Sequence, residues 1–499
     1  MSSNHRALLE SIAHRVMLER GLLPDFSSEV LAELAKLQLP ATAEAGVSAG
    51  STGIRDLRGL LWASIDNDDS HDMDQLTVAE SLPGNRVKIL VSVADVDSLV
   101  KNSSAIDAHA RHNTTSVYTA AEIFPMLPEK LSTGLTSLNF NEERLSIVVE
   151  MVINAGGTLQ DSDIYRARVT NRAKLAYNSV AAWLGGNGQA SEAITAVKGL
   201  DENLHLQDQT AQRMKDLRHT HGALSLQTIE AKPIFDGDQI QSLEVDEMNR
   251  ARVIIEDFMV AANGVTARYL SSKNFPSIRR VVRVPKRWDR IVEIARDHKV
   301  GLPENPDSKA LEEFLVKAKA EDPLRFPDLS LVVIKLLGSG EYITEPPEGT
   351  APGHFGLAVK DYTHSTAPNR RYSDLITQRL LKAAIVAKPM PYSKKELDNL
   401  ATQCTEQEDA ANKVERQVGK SAAALLLESK IGEQFESMVT GASAKGNWVR
   451  LLDMPIEGML KSGFEGIDVG DQIRVQLISV DVERGFIDFK RVGQAKIVI

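Results

Sequence analysis

The sequence contains one cysteine, Cys404, and no long run of apolar residues. A single cysteine excludes an intrachain disulfide and favours a reducing compartment. Because no stretch of about 18 apolar residues occurs, no segment is expected to cross a membrane. The N-terminus lacks the apolar core of a signal peptide, and Glu10 and Glu19 are unusual for a transit peptide. We therefore expect a cytoplasmic protein without membrane attachment.

Positive charge is also in short supply. The 499 residues include 58 Lys and Arg against 68 Asp and Glu, which gives a net charge of −10. This balance excludes a protein that coats nucleic acid through bulk positive charge, but not one that uses local basic patches. The length predicts about two to four domains. An apolar fraction of 42% is ordinary for a globular protein.

Aspartates are concentrated in one stretch that directly follows a short apolar segment. Asp72 and Asp74 are two positions apart, so an extended backbone directs both side chains the same way. Asp66 ends the preceding strand and can approach them across the loop. Carboxylates this close repel each other unless a cation lies among them, and hard divalent ions prefer carboxylate oxygens. The stretch therefore indicates a site for Mg²⁺ or Mn²⁺.

Two other interpretations compete with a metal site in this stretch. A solvated acidic loop is about as common for an arbitrary aspartate cluster. An EF-hand calcium loop fails in detail, because His71 stands where the sharp-turn glycine belongs and Thr77 where the bidentate glutamate belongs. The apolar residues Leu76 and Val78 that follow favour a loop set into a core.

Residues 1–50 are predicted to form a small helical domain. The apolar spacing of residues 8–17 predicts one helix, and Ser27 or Ser28 can cap a second. Two short helices across a glycine-containing turn are compatible with a helix-turn-helix module. A plain helical packing arm is an equal alternative. The Ala-, Thr- and Gly-rich residues 41–53 are predicted to be a linker.

From residue 54 the pattern mixes strands with helices. Apolar or alternating segments predict strands at residues 87–94, 145–153 and 354–359. Helical spacing predicts helices at residues 174–184, 204–218, 245–271, 373–386 and 397–435.

Two adjacent arginines form the second candidate site. Arg370 and Arg371 follow Pro368 and precede a predicted helix. Guanidinium groups and the amides at a helix N-terminus together suit a phosphate, so this segment predicts a phosphate clamp. A pair of surface arginines that bridge to acids is an equal alternative on local grounds.

The last 70 residues or so change character. Five short alternating segments are separated by glycines, which predicts a small closed barrel. Trp448, with Arg450 and Lys461 nearby in sequence, would suit base stacking and contact with a nucleic-acid backbone. A place in the barrel core is the alternative for Trp448.

Several segments resemble, in the same order, the RNase II (RNB) family of exoribonucleases. They are Ser64-Ile-Asp66 with Asp72-Met-Asp74, Val93-Ala-Asp-Val96, residues 118–131, Ser137-Leu-Asn139, Ile255-Glu-Asp-Phe-Met259, and residues 354–375. The resemblance covers residues 54–435, and the tail resembles the ribosomal-protein-type RNA-binding barrel that ends such proteins.

The resemblance implies an α+β fold. A helical domain (residues 1–50) would precede an RNB catalytic domain with a mixed sheet and surrounding helices (residues 51–430). An OB-fold barrel that binds RNA would follow (residues 431–499).

The resemblance also implies an activity. Such an enzyme depends on Mg²⁺, threads single-stranded RNA into a channel from its 3′ end and processively releases nucleoside 5′-monophosphates. The family's acids fall on Asp66, Asp72 and Asp74. Its phosphate-gripping arginine falls on Arg370, beside Arg371.

Two further positions of the family match this sequence. The base-stacking tyrosine falls on Tyr118, for which an ordinary buried tyrosine is the alternative. A glutamate of a late helix falls on Glu415, which could pair with an arginine or carry a metal-bound water.

The sequence departs from the family pattern in two places. Where the family has a fourth aspartate, this chain has Gln75, whose amide oxygen can bind a metal but brings no charge. The paired cold-shock barrels of the family have no counterpart before residue 54, so we expect RNA to enter differently on that side.

These observations predict an exoribonuclease that acts as a monomer. Because of Gln75, an RNA-binding regulator with weakened catalysis on the same fold is the alternative. A DNA-linked factor that uses the N-terminal helices is disfavoured, because those helices carry few lysines or arginines.

Overall fold

The computed structural model describes residues 4–38, 53–227, 231–245, 248–443, 446–467 and 471–493. Its helices are α1 (His5–Glu19), α2 (Ser28–Lys36), α3 (Ala105–Asn113), α4 (Tyr177–Leu184), α5 (Glu192–Thr195), α6 (Leu200–Thr220), α7 (Arg250–Ser272), α8 (Trp288–Asp297), α9 (Ser308–Glu321), α10 (Phe326–Leu337), α11 (Tyr372–Ile385) and α12 (Lys394–Leu427). Single turns of 3-10 helix lie at Val96–Ser98, Phe355–Leu357 and Glu428–Lys430, and a π-helical turn lies at Lys130–Leu135.

The strands complete the element list. They are β1 (Ile54–Asp56), β2 (Ala63–Asp66), β3 (Gln75–Leu82), β4 (Arg86–Ala94), β5 (Val117–Tyr118), β6 (Ile123–Phe124), β7 (Glu143–Ile153), β8 (Leu159–Thr170), β9 (Ala173–Ala176), β10 (Ala231–Asp236), β11 (Gln239–Val245), β12 (Ser277–Val281), β13 (Glu341–Glu345), β14 (Gln434–Ser443), β15 (Gly446–Leu451), β16 (Glu457–Ser462), β17 (Gln472–Asp481) and β18 (Phe486–Arg491).

A seven-stranded mixed sheet is built from strands within residues 54–176. Its order is β1-β8-β7-β4-β3-β2-β9, with parallel pairs at the two edges and antiparallel pairs between them. Strands β4 and β7 are buried along most of their length, which explains their continuous apolar composition. Helices α7 and α11 contribute Phe258 and Leu380 to the core that β3, β4 and β7 share. The predicted α+β class is therefore confirmed.

The five C-terminal strands close into a barrel in the order β14-β15-β16-β18-β17. Its interior contains Val439, Val449 and Phe489, and the last turns of α12 add Ala424 and Leu427 to the same core. The prediction of a small barrel is confirmed, and α12 leads into it from the preceding part of the chain.

The two N-terminal helices pack separately on other parts of the chain. Leu9 and Val16 of α1 share a core with Val414 and Val418 of α12, whereas Val30 of α2 belongs to the core of the central sheet. This packing fits the interpretation as a helical arm better than an independent DNA-binding module. The predicted linker falls almost entirely on residues 39–52, which lie outside the described residues.

Tertiary contacts changed three of the predicted elements. Residues 354–359 are not a strand, because the ring nitrogen Nδ1 of His354 accepts a hydrogen bond from the amide of Leu357 and closes a 3-10 turn. The helix predicted from residue 174 begins at Tyr177, because the residues before it pair with β2 as strand β9. The helix predicted to reach residue 435 ends at Leu427, ahead of β14.

Candidate active site

The first predicted acid, Asp66, is the last residue of β2. Its Oδ1 accepts a hydrogen bond from the backbone amide of Asn67 at 2.8 Å. Burial raises the pKa of Asp66, the nearby charge of Asp72 raises it further, and the amide of Asn67 opposes the shift. The carboxylates of Asp66 and Asp72 therefore lie close enough to interact electrostatically.

Asp74 is the most enclosed of the acids, with 3% of its surface exposed. The backbone N–H of Asn369 donates to its Oδ1 at 2.9 Å. The Nε atom of Arg370 lies 3.5 Å from Oδ2, which has no hydrogen-bond partner among the described residues. Burial, with a smaller contribution from Asp72, raises the pKa of Asp74 to about 8 in spite of the positive charge of Arg370.

The backbone between Asp72 and Asp74 is held by a neighbouring segment. The amide of Met73 donates to Oγ of Ser137 at 2.9 Å, and the carbonyl of Met73 accepts from the amide of Leu138 at 2.9 Å. These bonds fix the backbone between the two acids, which lie close enough for Asp72 to raise the pKa of Asp74. They also give a physical role to the Ser137-Leu-Asn139 segment.

Tyr118 lies beside the acids and remains accessible to solvent. Its hydroxyl donates to Oδ2 of Asp72 at 3.3 Å, and its backbone amide donates to Oε1 of Glu415 at 2.8 Å. The side chain is 41% exposed, which excludes the alternative of an ordinary buried tyrosine. Partial burial of the hydroxyl and the charge of Asp72 raise the pKa of Tyr118. Glu415 thus orients the tyrosine from α12.

The two adjacent arginines point in different directions. Arg370 is 41% exposed and faces Asp74. Arg371 turns into the protein, where its Nη2 donates to Oδ1 of Asp374 at 2.8 Å. Arg371 therefore does not join Arg370 in a clamp, because the buried carboxylate of Asp374 holds its guanidinium.

The remaining predicted residues are not joined to the aspartates by the contacts described. Gln75 follows Asp74 directly and pairs with Val93 across β3 and β4. Trp448 is half-buried in the barrel and pairs with Gly441 across β14 and β15.

Two basic residues that were predicted to contact RNA are paired with acids of the same chain. Arg450, predicted to contact RNA, instead forms a two-pronged ion pair with Asp328 of α10, with distances of 3.0 and 2.7 Å. Lys461 lies 3.4 Å from Asp488. Arg450 thereby ties the barrel to the helical region at α10.

The donor set suits a hard divalent cation. Among the described residues, no three His, Cys, Asp or Glu side chains form a ready-made metal cage. Mg²⁺ does not need such a cage, because it keeps several waters and takes one or two carboxylates plus substrate phosphate. The raised pKa values of Asp66 and Asp74 mean that burial disfavours their ionised forms, which a bound cation would stabilise. Oδ2 of Asp74, which accepts no hydrogen bond from the described residues, is one candidate ligand atom.

Two asparagines of this site escaped the sequence analysis. Asn67 and Asn369 each direct a backbone amide at an aspartate, and a backbone contact leaves no mark in residue type. For Asn369, the sequence offers one feature that could have predicted a tight turn: asparagine is common in such turns, and Asn369 lies between Pro368 and Arg370.

Two protein-family models match this chain. The family model of the RNB domain matches residues 54–387, and the RNase II-type exonuclease C-terminal S1 domain matches residues 433–492. The chain belongs to the RNB family. The segments that carry the resemblance in the sequence lie mostly within the first of these matches.

Similar proteins and structures include ribonucleases named Ribonuclease R or RNase R. Ribonuclease R of Vibrio parahaemolyticus is 29% identical over 481 residues, which cover 88% of this chain and 56% of the relative. The chain thus spans little more than half the length of that relative. The structure of Mycoplasma genitalium RNase R with ribose methylated single-stranded RNA matches 97% of this chain and 78% of its own, with a TM-score of 0.86 and 22% identity.

A third relative shares the fold under a different description. The structure of yeast Ssd1, described as a pseudonuclease, matches 94% of this chain and 57% of its own, with a TM-score of 0.71 and 16% identity.

Of the helices that the structure describes in this RNB protein, none combines the length and apolar character needed to span a bilayer.

Proposed function

We propose that this protein is a processive, Mg²⁺-dependent 3′-to-5′ exoribonuclease that hydrolyses single-stranded RNA to nucleoside 5′-monophosphates. The observation that carries the proposal is the convergence of Asp72, Asp74, Arg370 and Tyr118 from separate parts of the chain at one partly accessible site. The names of the Ribonuclease R relatives support it.

The reaction needs an attacking water, a positive group for the phosphate oxygens and a fixed substrate. Water would attack the terminal phosphorus, the bond to the 3′ oxygen of the preceding nucleotide would break, and that oxygen would take a proton. Asp66, Asp72 and Asp74, with Gln75, would hold Mg²⁺ (or Mn²⁺). When bound, the ion supplies charge neutralisation and a more acidic water.

The remaining roles belong to this chain's own groups. Asp74, whose carboxylate is buried beside Arg370, would orient the water. Arg370 would neutralise the charge that develops on the phosphate oxygens. Tyr118 would stack on the terminal base without reading its identity.

We propose a division of labour along the chain that follows the predicted boundaries. Residues 51–430 would perform catalysis, residues 431–499 would bind incoming RNA, and residues 1–50 would act as a packing arm. We further propose that the protein is a cytoplasmic monomer, which light scattering at several concentrations would test.

The activity is tested with 5′-labelled single-stranded RNA in Mg²⁺, in Mn²⁺ and without metal. A short labelled end product, few intermediates and released 5′-monophosphates are expected. An excess of unlabelled RNA, added after the start, should leave the first round unaffected if the enzyme is processive. Intact RNA in both metals would contradict the proposal.

A second function is favoured by one specific observation. Gln75 replaces a charged metal ligand of the family pattern, and a pseudonuclease shares the fold. An RNA-binding regulator would shift labelled RNA in a gel without cleaving it. The Gln75→Asp variant distinguishes the two functions, because restored charge would create cleavage only in a catalytically weakened protein.

A further inference from the structure

Both contacts to the carboxylate of Asp74 come from one turn of the chain. The amide of Asn369 donates to Oδ1 at 2.9 Å, and Nε of Arg370 lies 3.5 Å from Oδ2. The position of this turn therefore sets the orientation of Asp74 and the place of Arg370 together.

The ends of the turn are tied to its own helix and to a neighbouring segment. Oδ1 of Asp374 accepts hydrogen bonds at 2.8 Å from the amide of Ala367 and from Nη2 of Arg371. The carbonyl of Arg370 accepts from the amide of Ser116 at 3.0 Å. These bonds leave the middle residue, Asn369, to be fixed by its side chain.

The side chain of Asn369 is fixed by Thr136. Oγ1 of Thr136 lies 2.6 Å from Oδ1 of Asn369, and the two residues are 4% and 0% exposed. Thr136 follows the π-helical turn, and both its amide and its hydroxyl lie within hydrogen-bond distance of the carbonyl of Leu131, at 3.0 and 2.8 Å. Departures from regular helix often occur at functional sites.

The hydroxyl of Thr136 can serve both neighbours. It has one proton, which satisfies either the carbonyl of Leu131 or Oδ1 of Asn369. If the amide of Asn369 is turned over, Nδ2 donates to the hydroxyl while the hydroxyl donates to Leu131. As assigned, Nδ2 of Asn369 is buried and finds no hydrogen-bond partner in the part of the chain that the structure describes, which favours this arrangement.

We propose that Thr136 and Asn369 are positioning residues, which hold the turn before α11 so that its amide and Arg370 both meet Asp74. The proposal rests on the proposed function for its kinetic readouts. Neither side chain would touch the substrate. Each would act through Asp74, whose carboxylate must be oriented towards the cation and the water.

The size of the effect follows from one buried hydrogen bond. Such a bond contributes about 1–1.5 kcal/mol, which corresponds to about a 10-fold change in rate or affinity. Thr136→Val removes the hydroxyl but keeps the shape of the side chain. Thr136→Ser keeps the hydroxyl. Asn369→Ala removes the amide side chain but keeps the backbone N–H that bonds Asp74.

A matched control lies in the same segment. Oγ1 of Thr133 donates to the backbone carbonyl of Glu129 at 2.9 Å at a more exposed position, so Thr133→Val makes the same substitution in this segment without touching Asn369. For each full-length variant, kcat and KM for single-stranded RNA, the thermal midpoint, and the affinity of the RNA-free protein for Mn²⁺ are measured.

Thr136→Val and Asn369→Ala should each lower kcat about 10-fold and weaken Mn²⁺ binding, with KM within about twofold of wild type. Thr136→Ser and Thr133→Val should behave as wild type. The double variant of Thr136→Val and Asn369→Ala should be no worse than either single variant, because the two residues act as one unit.

Wild-type kcat and Mn²⁺ affinity in Thr136→Val would overturn the positioning role. Equal losses of kcat, RNA affinity and thermal midpoint, without rescue by Thr136→Ser, would do the same and indicate a purely structural contact. A wild-type protein that binds Mn²⁺ but leaves RNA intact would overturn the proposed function alone. The Mn²⁺ affinities of the variants would still decide the positioning role.

Discussion

Oδ2 of Asp74 lies 3.5 Å from Nε of Arg370, and the carboxylate side chain is 3% exposed while the arginine side chain is 41% exposed. Asp74 therefore lies on the buried side of the pair, and Arg370 lies on the side that solvent can reach. A phosphate arriving from solvent can meet Arg370 directly. The carboxylate is held behind it by the amide of Asn369.

The first prediction concerns the charge of Asp74. Asp74→Asn keeps the shape of the side chain but removes its charge, so it should lower turnover by about 1,000-fold or more, as removal of groups that stabilise a transition state does. Binding of single-stranded RNA should persist, because the lost group is negative. Single-turnover rates and gel-shift affinities measure the two effects. Equal losses of both would contradict the assigned role.

The second prediction separates the two adjacent arginines. Arg370→Ala should slow cleavage about 100-fold and change the affinity for long RNA much less, because the group acts on developing charge. Arg371→Ala should instead lower the free energy of unfolding by about 3 kcal/mol, since it leaves Asp374 buried without its partner. Denaturant titration and single-turnover kinetics distinguish the variants. If both variants lose the same cleavage rate and the same free energy of unfolding, the different orientations of the two arginines do not give them different roles.

The third prediction concerns the barrel. Trp448→Ala should weaken binding of long RNA about 10-fold, because one stacked base contributes about 1–3 kcal/mol. Cleavage of short oligonucleotides, which end before the barrel, should keep its wild-type rate. Comparison of the two substrates provides the internal control. If the short substrate suffers as much as the long one, Trp448 supports the fold of the barrel and does not bind RNA.

The fourth prediction is a dependence of stability on pH. Burial lowers the pKa of His109 from 6.5 to about 4, and Nε2 of its ring lies 3.4 Å from Nδ2 of Asn113. The folded state therefore prefers the neutral ring. The associated stability is complete above pH 6.5 and is lost as the pH falls towards 4. At pH 5.5 the loss should be about 1.4 kcal/mol relative to pH 7.5.

Variants of two histidines test this dependence. His109→Gln should flatten the decline in unfolding free energy between pH 7.5 and 5.5, whereas His221→Gln, at an exposed histidine, should leave it unchanged. Denaturant titrations at the two pH values measure the difference. Parallel curves for His109→Gln and wild type would exclude His109 as the source.

Local pattern was sufficient for much of the fold and part of the site. The apolar runs of β4 and β7, the cap at Ser27, and the glycine-separated strands of the barrel were each visible in the sequence. The alternation of a strand indicated that Asp72 and Asp74 share one side. These features depend on neighbours within a few residues.

Other features could not be predicted from local pattern. The spacing of apolar residues predicted a helix at residues 174–176, but these residues form a strand because they pair with β2. Arg370 and Arg371 are chemically identical, and only the buried carboxylate of Asp374 decides which one turns inward. The roles of Asn369 and Thr136 arise from contacts across more than 200 residues of chain.

The sequence by itself therefore determined the kinds of element, the acidic donor set and membership of a recognisable family pattern. Hydrophobic periodicity, helix capping and local composition each depend on a few neighbouring residues, so they can be read directly from the sequence. The tertiary structure alone decided which arginine faces Asp74, which glutamate orients Tyr118, and which asparagine amide meets a carboxylate. Those choices depend on burial and on hydrogen bonds between distant segments, which exist only once the chain has packed.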